Sequence, residues 1–94
     1  MLFFKKSKIE RQMMKEIKAS AGVDEFPFED AKTIAELLTA YERGEVFVSL
    51  AFFSPKNMAL FDKYPKLGEN WDNIMIKYKK QGLFPNWDIV LIDD

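Results

Sequence analysis

The side chains grouped closely enough for acid–base or metal chemistry are carboxylates. Glu69 and Asp72 stand three residues apart, Asp24, Glu25, Glu29 and Asp30 share one connector, and Asp93 and Asp94 occupy the last two positions. Paired carboxylates can exchange a proton as acid and base, or hold Mg²⁺ or Ca²⁺. None of these groups has the D-x-[DN]-x-[DN]-G spacing of a calcium loop. The connector and Asp72 acids suit the positive ends of the helices that follow them, and all are ordinary solubilising charge. We therefore expect no catalytic residue, no metal site and no cofactor. An enzyme working through carboxylates ranks below the binding functions considered next.

Other chemistries lack their residues. The chain has no histidine, so it has no imidazole for proton transfer near neutral pH, for a Ser-His-Asp arrangement or for zinc. It has no cysteine, which removes disulfides, thiol nucleophiles and thiolate metal sites. Gly22, Gly44, Gly68 and Gly82 each stand alone, so no glycine-rich phosphate loop is present. Ser7, Ser20, Ser49 and Ser54 have no nucleophile-elbow context, and Ser7 and Ser54 read better as helix caps.

Two features point to binding. Lys8, Arg11, Lys15 and Lys18 project together at 100° per residue, with Lys77, Lys79 and Lys80 able to join them. Such a row is ordinarily a solvated face, but lysines also neutralise phosphates and release counterions. The pI near 5.5 and the twelve lysines against two arginines weigh against nucleic-acid readout. Docking on a membrane surface through Leu2, Phe3 and Phe4 ahead of Lys5 and Lys6 ranks last.

The second feature is a surplus of aromatic rings: nine Phe, three Tyr and two Trp. Phe52, Trp71 and Tyr78 are the first choices for the core. The Phe3–Phe4, Phe26–Phe28, Phe52–Phe53 and Phe84–Trp87 groups cannot all point inward, which leaves ring surface for an interface. The expected partner-binding residues are Phe26, Phe28, Phe47, Phe53, Phe84 and Trp87.

The elements that position these residues follow from periodicity. Ser7 and Glu10 have capping-box spacing, and Ile9, Met13 and Ile17 mark a helix over about 7–21 that stops at Gly22. A second helix is expected over about 29–43, facing Ile34, Leu37, Leu38 and Tyr41 inward and stopping at Arg43–Gly44. Val46–Phe53 is β-branched and aromatic, and apolar on both faces, which predicts a buried strand. Ser54–Pro55 opens a short helix that ends near Lys63, because Pro65 cannot continue it. Trp71, Ile74, Met75 and Tyr78 predict a helix over about 71–81, capped by Asn70 and ended by Gly82. Trp87–Ile92 reads as a second strand.

The chain is thus expected to be a single small α+β domain, or a small α/β one, in the order α-α-β-α-α-β. Helices would pack on a minimal two- to three-stranded sheet, completed by a homodimer or another partner. Residues 1–6 are expected to form a flexible N-terminal arm. Net charge is segregated as +4 over residues 1–20, −5 over 21–62 and +3 over 63–82, followed by three acids and no base.

No apolar run reaches transmembrane length, no secretory signal is recognisable, and the lysine excess fits an AT-rich, bacterial genome. The expected function is that of a small, cytoplasmic, non-enzymatic protein–protein interaction module: a regulator, an antitoxin-like or immunity-like protein, or an accessory subunit. It would bind through leftover aromatic surface and a sheet edge. The alternative is a nucleic-acid-associated factor using the basic face of the first helix.

Overall fold

The computed structural model describes residues 7–45 and 54–88. Four helices lie within them: α1 (Lys8–Ala21), α2 (Phe28–Arg43), α3 (Pro55–Lys63) and α4 (Pro65–Lys80). Helix α1 starts on the expected capping box. The Ser7 hydroxyl accepts the Glu10 amide at 3.1 Å, and the Glu10 carboxylate accepts the Ser7 amide at 3.0 Å. It ends at Gly22, whose left-handed φ of 74° lets Val23 N–H reach the Lys18 carbonyl at 3.1 Å. Helix α2 ends in the same way at Gly44. There a β-carbon would collide with the backbone carbonyl of Asn86, so the position needs glycine for space as well as for φ.

Helices α3 and α4 share a single linking residue, Tyr64, and Pro65 both stops α3 and occupies the first position of α4. Helix α4 therefore begins six residues earlier than its apolar spacing suggested. Asn70 is not its cap: it sits inside the helix, and its side chain donates to the Lys66 carbonyl at 3.0 Å. Gly68, which reads as a boundary in the sequence, lies within the helix. A β-carbon there would stand 3.0 Å from the Phe61 β-carbon, so the glycine lets α3 and α4 approach closely.

Among the described residues there is no strand, and this overturns the α+β expectation and the sheet it required. The 46–53 segment and residues 89–92, which carry most of both expected strands, lie outside the described residues. Trp87, expected to open the second strand, closes a turn instead: its N–H donates to the Phe84 carbonyl at 3.1 Å across Pro85. The Asn86 side chain pins that turn to α2 by donating to the Glu42 carbonyl at 3.1 Å.

The physical reason is that the helices supply their own opposing layer. The apolar faces of α1 (Met13, Ile17), α2 (Ile34, Leu37, Tyr41), α3 (Leu60, Phe61) and α4 (Leu67, Trp71, Ile74, Met75, Tyr78) close into one buried cluster with Phe84 and Trp87. At its centre the Tyr41 ring meets Trp87 edge-on, with centroids 4.4 Å apart, and its hydroxyl accepts the Trp71 indole N–H at 3.2 Å. Burial raises the Tyr41 phenol well above its ordinary pKa.

Candidate functional site

Helix α1 packs on α4, α2 packs on α3, and α3 packs on α4, whereas α1 and α2 are not closely packed against each other. The gap between them is a groove of about 300 Å³. Met13 and Met14 line it from α1, and Ile34 and Leu38 from α2. Phe26 in the connector lines one end, and Leu83 extends the apolar surface from the chain after α4, with Phe84 buried at its edge. Ala31, Ala35 and Thr39 repeat every four residues along the α2 wall and keep it low. The Thr39 hydroxyl donates to the Ala35 carbonyl at 2.8 Å, so this wall offers no unpaired hydroxyl proton.

The rim is charged. Lys18 and Glu25, next to the connector, pair at 3.0 Å, while Glu10 and Glu42 lie farther along their helices, away from it. The four rim residues sum to a formal charge of −2. Phe84, at the edge of the groove, has φ 56°, the single non-glycine residue with positive φ among those described. A bulky residue held in this region carries strain of roughly 1–2 kcal/mol. Its ring is nevertheless 4% exposed, 5.6 Å from the Tyr41 ring centroid, and the Lys79 ammonium donates to its carbonyl at 3.2 Å.

The expected partner-binding aromatics separate into three groups. Phe28 is 78% exposed at the start of α2. Phe26 is half-buried and meets the Tyr64 ring edge-on at 5.4 Å while lining the groove. Phe84 and Trp87 are core residues, at 4% and 1% exposure, and present almost no surface to a partner. The reason is the turn they bracket, which folds both rings onto Tyr41. Phe47 and Phe53 lie outside the described residues.

Of the basic row, Lys8, Arg11 and Lys15 are exposed, while Lys18 is half-buried and bound to Glu25. Lys77 is drawn to Glu16 at 2.9 Å, tying α4 to α1. The groove itself was not legible beforehand. Its signal was the i, i+4 run Ala31–Ala35–Thr39 beside the Met13–Met14 pair, but helical periodicity does not say which two helices diverge.

The acids follow structural assignments. Asp30 accepts from Lys63 at 2.8 Å and from the Tyr64 hydroxyl at 2.6 Å, which holds its carboxyl below the usual range and raises both partners. Asp72 is half-buried on α4, and its Oδ1 has no hydrogen-bond partner among the described residues; burial pushes its pKa up to about 6. Among the described residues no three carboxylates converge on a common point suited to a metal ion. No described helix is long and apolar enough to cross a membrane. Comparison with protein-family models, with curated proteins and with solved structures gives no match for this chain.

Proposed function

We propose that this chain is a small, non-enzymatic protein-binding module of the cytoplasm that holds its partner in the α1–α2 groove. The observation that carries the reading is the groove itself: helical walls, a half-buried apolar lining from Met14, Leu38, Phe26 and Leu83 beside the core residues Met13 and Ile34, and a charged rim. Apolar clefts with a few polar groups at their edges are where proteins take up ligands and peptide segments. Two further observations support it. Phe84 holds a strained backbone at the groove edge, and such strain concentrates at functional surfaces. Phe28 leaves a large ring exposed at the start of the groove's own α2 wall, as an interface anchor would.

The experiment is affinity capture from the source organism, with and without nuclease, followed by mass measurement of the intact complex. Wild type is compared with Ala35→Trp, which puts an indole into the groove from an exposed position. The proposal expects a stoichiometric, nuclease-resistant complex with a protein that Ala35→Trp no longer captures. A complex that nuclease dissolves, or one that Ala35→Trp leaves intact, overturns it. The first of these outcomes would move attention to Lys8, Arg11 and Lys15.

A further inference from the structure

Resting on the groove reading above, we propose that the occupant is a basic amphipathic α-helix of a partner protein, with its cationic residues set toward Glu10 and Glu42. Three observations select it. First, the walls are two helices whose backbone groups are already bonded internally, and no strand edge is present among the described residues. An extended segment would find no backbone partners here, whereas a helix brings its own hydrogen bonds with it.

Second, the low row of Ala31, Ala35 and Thr39 admits the backbone of a third helix at the close interaxial distances of packed helices, about 8–10 Å. The half-buried side chains of Met14 and Leu38 then receive its i, i+3, i+4 anchors.

Third, the rim is asymmetric. Lys18 is spent on Glu25 beside the connector, and the rim's net negative charge lies with Glu10, one oxygen of which also holds the Ser7 amide, and with Glu42. Both are far from the connector along their own helices, and Glu42 sits at the C-terminal end of α2 beside Arg43, the basic residue of its last turn. Opposite charge at that end steers a basic helix into one orientation and repels an acidic one.

The test is NMR titration of the labelled full chain with two designed helices of about 15 residues, long enough to be helical, one built of Leu and Lys and the other of Leu and Glu. The Leu/Lys helix is expected to shift Met14, Ala35 and Leu38 resonances and to bind about tenfold tighter than Leu/Glu at low salt. Glu42→Lys should narrow or invert that preference, and Ala35→Trp should abolish binding. Glu42 is exposed, so its replacement leaves the core untouched.

Equal affinity of the two helices at the groove would overturn the charge assignment while leaving the groove reading in place. Leu/Lys binding that survives Ala35→Trp is adsorption to acidic surface and would overturn the occupant. So would groove resonances that move with protein concentration alone, which would make the occupant a second copy. If neither helix perturbs the groove, the helical occupant is wrong, and the capture experiment decides the groove reading separately.

Discussion

Tyr41, Trp71 and Trp87 show how much of this small core rests on single side chains. All three are essentially inaccessible, and Trp87 reaches its place through a turn and not through regular structure. Trp87→Ala is expected to cost about 3–5 kcal/mol, a large share of the stability of a domain this size, measurable as a drop in the urea midpoint. Asp72 acts in the opposite sense. Its folded pKa of about 6 lies above that of the unfolded chain. Between the two values the folded state holds a proton that the unfolded chain has released, so stability falls as pH rises from about 4 to 6.

Asp72→Asn should remove that slope and stabilise the protein at neutral pH by about 1–2 kcal/mol, as read from melting curves across that range. Asp30 adds the other limb. Its pKa is held down by Lys63 first and Tyr64 second, so its contribution is present above the ordinary carboxylate range and is lost on further acidification. Of these two groups, Asp30 favours the folded state above the ordinary carboxylate range and Asp72 disfavours it as pH rises from about 4 to 6, so Asp72→Asn should flatten the loss of stability on the neutral side.

At the scale of elements, the close approach of α3 and α4 depends on Gly68. In an open helix Gly→Ala would gain up to about 1 kcal/mol, but here the new β-carbon meets Phe61 at its own β-carbon, which cannot swing away. Gly68→Ala is expected to lower the melting temperature, and Ser7→Ala to cost about 1 kcal/mol through the lost cap. Several caps and stops were legible in the sequence because their chemistry is local: Ser7 with Glu10, Gly22, Gly44 and Pro65 act where the sequence places them, whereas Ser54 stands at its N-cap position without a side-chain cap bond and Asn70 lies inside α4.

What was not legible depended on distant contacts. Gly68 looks like a break until Phe61 is placed beside it. Phe84 and Trp87 look like spare rings until the 84–87 turn is laid against the end of α2. The α+β reading failed for a related reason. The alternation in Trp87–Ile92 fits a strand locally, but the turn that opens it commits Trp87 to a helical core that needs no sheet to cover it.

Over the whole molecule, the segregated charge of the sequence folds back on itself. Lys18–Glu25, Lys63–Asp30 and Lys77–Glu16 each join a basic stretch to an acidic side chain at 2.8–3.0 Å. Each pair has an exposed partner, so raising the salt concentration should change stability only slightly. Among the described residues, Lys8 and Lys15 on the outer face of α1 and Glu42 on the groove rim are exposed charges outside these three pairs.

The groove, and no other face, is expected to meet the partner. That expectation is tested most directly by placing a photo-crosslinking side chain at Ala35 in the groove or at Asn73, exposed on α4 outside it, in the source cells. One discrete protein adduct is expected from position 35 and none from position 73. Adducts from 73, or none from 35 in a folded protein, would contradict it.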